Sequence, residues 1–476
     1  EIQSGNRDVQ WLRDGSVNML TLALSQWSDL TVADYERTMV LVREAGLEDK
    51  RVDIDRALAI ARKAGAWTVV TGTIATTSDS LLVDARLYDV GSGKSLQTEH
   101  RAVALSADPR PLFDGLARYL LGVAGGTATE TVDLAAATTK SITAYRAYLE
   151  GTRALFSWQV LKADTLFQRA IAADSTFALA WHKRSLALGW GDAGGPGYLE
   201  ASERALALVD RLPAREQALV RGHHALSTGL RVQTANTGTG AKELRDAQQI
   251  FSDLIARDSS VAEAWYGLAD ARFHTQFDAS DMEESLERMT GALRAFERTL
   301  GLDSTFHLAY SHLVSLYAGM STANSQIFFD GTRVQLGDSA SIKRAGGPDA
   351  VARMRTEAGR TGLALSRLWA RADVNAIAPR IALAQGFMAA GMTDSAIAVV
   401  DETLAEPQFA APQFALWGNQ YRFVADDPRG APGLVEGTRA LDVARFRQIP
   451  FTDRYGYLAM AISAAGAIGS GAEVDR

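Results

Sequence analysis

The chain has 476 residues, no cysteine, 47% hydrophobic and 22% charged residues, and a formal net charge of −7 from 49 Lys and Arg against 56 Asp and Glu. That length exceeds what one hydrophobic core usually supports, so two or three folding units are expected. Without cysteine there is no disulfide framework, thiolate metal site or cysteine nucleophile. The absence of a basic block argues against a nucleic-acid or anionic-membrane surface.

The chain opens on Glu1 rather than Met, which reads as a processed or trimmed product. Val9 to Ser28 carries Leu12, Val17, Leu20, Leu22 and Leu24 at roughly helical spacing, and Leu30-Thr31-Val32 is a short strand candidate. Asp53 to Gly65 predicts a second helix, with Ile54, Leu58, Ile60 and Ala61 on its apolar face and Gly65 as its stop. Strands follow over Thr68 to Ala75 and Ser80 to Val90. In the latter, Leu82, Asp84, Arg86 and Tyr88 alternate with Val83, Ala85 and Leu87, the period of a half-buried antiparallel strand. Gly91 to Lys94 makes a turn into a third strand, Ser95 to Leu105. Pro111 to Val123 is a helix, and Gly125 to Thr129 reads as a linker. The domain boundaries expected are 1–128 for this α/β region and 135–476 for a helical-repeat region.

Beyond the linker one register recurs. Asp174-Ser-Thr-Phe-Ala-Leu-Ala-Trp181 returns as Asp258-Ser-Ser-Val-Ala-Glu-Ala-Trp265 and as Asp303-Ser-Thr-Phe-His-Leu-Ala-Tyr310. Upstream of each octet, apolar or small residues stand at i, i+3, i+4, i+7 and i+8: Ala163 to Ile171, Ala247 to Ile255, and Ala292 to Leu300. A fourth copy, Ala396 to Leu404, ends at Pro407. Each copy predicts an amphipathic helix with Ala where a neighbour approaches closely, broken by Asp-Ser or Pro before the next helix. An aromatic stands eighteen residues after the first Ala: Trp181, Trp265, Tyr310 and Phe414. With Phe167, Phe251 and Phe296, the first three of these aromatics are expected between helices. Phe414-x-x-Trp417-Gly418-x-x-Tyr421 matches the tetratricopeptide pattern, and Phe387 and Gly391 fit it one repeat earlier. The fold class expected is mainly α, a tetratricopeptide-type α-solenoid preceded by a small α/β domain.

Two insertions stretch the spacing: Thr234 to Gly240, and Ser321 to Asp349. The second holds Ile327 to Leu336, in which Asp330-Gly331 between apolar runs signals a hairpin. It could serve as a partner-docking arm through Phe328 and Phe329. The alternative, a hairpin folded onto its own solenoid, is the commoner use of such loops.

No constellation of catalytic residues stands out. His223 and His224 are adjacent and point about 100° apart on a helix, and His307 and His312 miss the i, i+4 spacing of a helical zinc pair. All seven histidines read as structural or solvated. Gly191 to Gly197 lacks the strand before it and the Lys-Ser/Thr after it that a phosphate cradle needs. No nucleophile elbow or kinase catalytic loop occurs. The expectation is therefore a non-enzyme with no metal and no cofactor that binds protein or peptide partners. On the tetratricopeptide template the first helix of each pair lines a groove, with His182, Tyr266, Asp270, His274, Gln385, Asn419 and Arg422 inward.

Two regions carry a family resemblance. Trp11 to Ser16 followed by Leu22 to Asp34, then Ala57 to Ala66, Val69 to Ile74 and Leu87 to Lys94, look like an α/β domain of bacterial envelope proteins, similar to the amino-terminal domain of periplasmic TolB and to flagellar outer-membrane FlgO proteins. Ala144-Tyr-Arg-Ala-Tyr-Leu-Glu-Gly151 and the repeats after it resemble the sensor half of membrane-anchored bacterial Ser/Thr kinases, adenylate cyclases and transcription regulators. The resemblance covers about 1–420. It implies an extracytoplasmic signalling or sensor module, tethered through a segment absent from this chain. The runner-up is a structural or accessory subunit of an envelope or surface assembly. The family's kinase is absent, so its activity does not carry over. Its first apolar strand is expected to be missing, since Glu1 to Gln10 is too polar to supply it.

Overall fold

A computed structural model describes residues 1–25, 30–47, 50, 52–123, 134–191, 197–234, 238–275, 281–372, 376–409, 412–440 and 451–469. The linker at 125–129 lies outside these residues, as does the side chain of Phe414. Close contacts divide the chain into two compact units. One comprises 1–231, 240–271 and 298–305; the other comprises 232–239, 272–297 and 306–476. Among the described residues no helix is long and apolar enough to cross a membrane.

The first unit begins with a strand the sequence reading denied. β1 (Ile2–Gln3) lies parallel to β2 (Thr68–Thr76), with Ile2 opposite Ile74. Its polar composition did not prevent pairing, because backbone groups make the ladder and only Ile2 packs on the core. β3 (Ser80–Asp89) and β4 (Ser95–Ala104) continue antiparallel, giving the order β1-β2-β3-β4. The period of two in β3 sends Leu81, Val83, Ala85 and Leu87 inward, where they join Leu12, Met19, Phe113 and Leu116. Those partners come from α1 (Leu12–Leu24) and α4 (Arg110–Val123).

Leu30-Thr31-Val32 is not a strand. It leads into α2 (Tyr35–Glu44), a helix the sequence reading missed. The start signal was present: the Asp34 carboxylate accepts from the backbone N–H of Glu36 and Arg37. α3 (Ile54–Ala64) starts on the same device at Asp53 and stops where Gly65 turns left-handed at φ 75°.

Helices then run in succession: α5 (Leu134–Ala137), α6 (Ile142–Phe156), α7 (Val160–Ala173), α8 (Ala178–Gly191), α9 (Tyr198–Ala207), α10 (Ala214–Thr234), α11 (Ala241–Arg257) and α12 (Ala262–Thr275). After these come α13 (Met282–Leu302), α14 (His307–Ser321), α15 (Ser339–Arg344), α16 (Pro348–Ala372), α17 (Ile377–Ala389), α18 (Thr393–Ala405), α19 (Pro412–Val424), α20 (Gly430–Ala440) and α21 (Phe451–Ala467). Among the described residues after 134, the hairpin β5 (Ile327–Phe329) and β6 (Val334–Leu336) holds the only strands.

The recurrent register is a packing register. Ala163, Phe167 and Ala170 are fully buried in α7, as are Ala292 and Phe296 in α13 and Ala396 and Val400 in α18; Ala247 and Phe251 are equally enclosed in α11. Glycine makes room for the Phe. A methyl group on Gly151 would stand 2.7 Å from the Phe167 ring, and one on Gly222 or Gly267 would stand 2.7 or 2.4 Å from the Phe251 ring. The break is also shared. The Asp174, Asp258 and Asp303 carboxylates accept from the N–H of Thr176, Ser260 and Thr305 at 2.9, 2.9 and 2.8 Å, a side-chain turn that ends one helix and starts the next.

Candidate functional site

Of the residues placed on a groove by template, three are not surface residues. His182 is 2% exposed, and Tyr266 and Asp270 are also buried. Tyr266 donates its hydroxyl to Asp270 one turn on, so both are committed within the protein. The template put them outside because it treats every first-helix position alike, whereas neighbouring helices close over these. His274 is half-buried beside the Phe273 ring. Gln385 is half-buried on α17 with no hydrogen-bond partner among the described residues. Asn419 and Arg422, on α19, are half-buried and joined, the Arg422 guanidinium donating to Asn419 at 2.9 Å and pairing with Asp401 at 2.5 Å.

The hairpin is not a free arm. Phe328 is fully buried. Phe329 lies edge-on to Tyr317 and under the Arg294 guanidinium. The Val334 N–H donates to Thr290 at 2.9 Å, and Arg294 donates to the Gly331 carbonyl at 2.6 Å. Its alternating apolar residues need a buried face, and α13 and α14 supply it.

The first unit contains a cluster of charge that sequence reasoning missed. Lys183 of α8 pairs with Glu263 of α12 at 2.7 Å and with Glu36 of α2 at 3.4 Å. His182 Nε2 stands 3.0 Å from the other Glu263 oxygen. Arg215 of α10 pairs with Glu216 at 2.9 Å and Asp34 at 3.4 Å. A small cavity of about 30 Å³, room for about one water molecule, lies among these groups. One signal was available. Glu263 occupies the octet position where the other two copies carry Leu179 and Leu308.

The electrostatics follow from burial and pairing. Burial opposes the Lys183 ammonium, but Glu263 and Glu36 outweigh it and hold the group well above its usual range. Glu263 is likewise held low, its burial overcome by Lys183 and His182. Burial, reinforced by the adjacent Glu36, pushes the Asp34 carboxyl well up. His223 is lowered to about 3 by burial, with His182 adding to the effect. It approaches Ser185 at 3.0 Å, but that hydroxyl is fully buried and donates to the Tyr198 carbonyl. The Ser–His pair therefore holds α8 against α9 and α10 and offers no accessible nucleophile. The charge cluster likewise fastens α2, α8, α10 and α12, since breaking a buried pair leaves an uncompensated charge.

No family model matches the chain, and no curated protein matches it. Among solved structures it is similar to the human IFIT1 dimer with m7Gppp-AAAA, at TM-score 0.44 and 10% identity over 99% of this chain and 95% of that one. It is also similar to yeast Tom70, at TM-score 0.33 and 13% identity over 76% and 75%. Neither likeness assigns a function. By its own elements the chain is mainly α, a tetratricopeptide-type α-solenoid preceded by a small α/β domain.

Proposed function

We propose that the protein is a non-catalytic scaffold that binds protein partners through its helical pairs, as an extracytoplasmic sensor or signalling module. The observation that carries this reading is the repeated pair register with polar side chains left half-exposed on successive first helices, Gln385 on α17 and Asn419 and Arg422 on α19. Such surfaces suit extended peptides and partner helices. The net charge of −7 without a basic block favours protein over nucleic acid. The extracytoplasmic setting rests on the resemblance to TolB-like and FlgO-like domains and agrees with the lack of cysteine.

A second reading, an accessory subunit of an envelope or surface assembly, draws on the far end of the chain. On α21, Leu458 and Ile462 are exposed one turn apart, and Ile468 just beyond is exposed too.

Capture of partners from native membranes, identified by mass spectrometry, tests both. Gln385→Arg should reduce recovery of the partner about tenfold, or ~1.4 kcal/mol, while leaving the helical melting curve unchanged. A partner that survives Gln385→Arg but is lost with Leu458→Glu and Ile462→Glu would establish the assembly reading instead. Turnover that co-purifies with the protein would defeat both.

A further inference from the structure

A second cavity in the first unit, of about 220 Å³, opens between α1, α2 and α6. At about 30 Å³ per water it has room for about seven waters or a small organic molecule. Met39, Val40 and Phe156 form its apolar wall. Four charged side chains also line it, and three are already neutralised. Asp14 accepts from Arg153 Nε at 2.8 Å, and Glu36 is paired behind the wall with Lys183. The Arg153 side chain is largely exposed and marks the mouth, whereas Asp14 is nearly enclosed.

Arg43 is different. Its two terminal nitrogens donate to neutral acceptors, the Phe156 carbonyl at 3.1 Å and the Thr305 hydroxyl at 2.9 Å. No carboxylate is in ion-pair contact with it among the described residues. Asp303 is reached only through Thr305, whose N–H and hydroxyl both donate to Asp303. The Arg43 Nε–H is buried and has no acceptor. A guanidinium whose five N–H donors meet only two neutral acceptors, beside an apolar wall, is complementary to an anion.

We infer that this cleft binds a small organic monoanion: a carboxylate that pairs with the Arg43 guanidinium and carries a short apolar or aromatic tail against Met39, Val40 and Phe156. Inorganic phosphate has no apolar tail to cover Met39, Val40 and Phe156, and with Arg153 and Lys183 already paired to Asp14 and Glu36 no second cation of the lining is left for a dianion. A purely cationic ligand would meet Arg43 and Arg153 instead. The site is independent of the partner-binding surface, so it stands or falls on its own measurement.

The test uses the full chain and benzoate as the probe, with butyrate as a second carboxylate and benzylamine and inorganic phosphate as controls. Calorimetry and ligand-observed NMR should give saturable one-to-one binding of benzoate at millimolar or lower concentration. Phosphate and benzylamine should neither bind nor compete. Arg43→Met should weaken benzoate at least tenfold, and Arg43→Lys should retain part of the affinity. Should Arg43→Met fold poorly, Ser157→Trp serves instead. Ser157 lines the cavity from an exposed position, so a bulky ring there blocks the site without disturbing the core. Loss of benzoate binding in that variant, with an unchanged melting curve, supports the site. No saturable binding of either carboxylate, or binding indifferent to both substitutions, overturns it.

Discussion

The first two copies of the repeated octet and the third share a turn but not an interior. In all three, Asp accepts from the N–H two residues on and ends a helix. In the first two, the aromatic is Trp181 or Trp265, half-exposed, with its indole N–H donating back to the carbonyl of Ser175 or Ser259 at 2.9 and 3.0 Å. In the third, Tyr310 is buried and stacked on Trp369 of α16, 20° from parallel. Both Trp residues were expected mostly buried between helices, and each is largely covered without being fully enclosed. The aromatic at this position is a clasp over the turn unless another helix arrives to cover it. What is invariant is the turn and the Ala-Phe face upstream. What varies is decided by neighbours.

The largest effect should come from that upstream face. Phe251→Ala removes a ring enclosed by Gly222 and Gly267 and should cost about 3–5 kcal/mol in denaturant melts. A loss below about 1 kcal/mol would refute the shared register. Tyr310→Ala should approach the same range, whereas Trp265→Ala should cost only about 1.5–3 kcal/mol, half-burial plus one hydrogen bond. Equal losses at the two positions would erase the distinction between clasp and core. Removing the turn should affect every copy alike. Asp174→Ala, Asp258→Ala and Asp303→Ala should each cost about 0.5–2 kcal/mol, and a spread wider than that range would show the copies are not equivalent turns.

The smallest effect is one of pH, and it belongs to the first copy alone, whose helix α8 bears Ser185 against His223. His223 is lowered to about 3, so between that value and its ordinary 6.5 the unfolded chain binds the extra proton. Stability must then rise with pH in this window and level off above it. Between pH 6 and 7 the contribution is under about 1 kcal/mol. His223→Gln should flatten that part of the pH dependence, and an unchanged slope would show that His223 does not carry it.

How much of this could be read in the residues depends on distance along the chain. Helix breaks, caps and the Ala-Phe face are set within about twenty residues, by backbone hydrogen bonding and helical period, and the sequence alone determined them. The hairpin at Asp330-Gly331 was equally local, though that it folds down rather than reaching out depended on Arg294 and Thr290, about forty residues back. The charge cluster left one local signal, Glu263 where the other copies carry Leu, and its partners were out of reach. Lys183 and Glu263 are 80 residues apart and look like ordinary surface charges until α8 and α12 meet. His182 was named as a candidate, but as a groove residue, because burial is a property of what packs on a position and not of the position itself. β1 was missed for a related reason. Two polar-flanked residues carry no strand signal, and only the open edge of β2 makes them a strand. The sequence by itself determined where helices start, stop and turn, since those are short-range contests between backbone and side chain. The tertiary structure decided which aromatics are core, which charges are paired, and that Arg43 faces a cavity without a carboxylate partner, since burial and Coulomb energy depend on residues that only folding brings together.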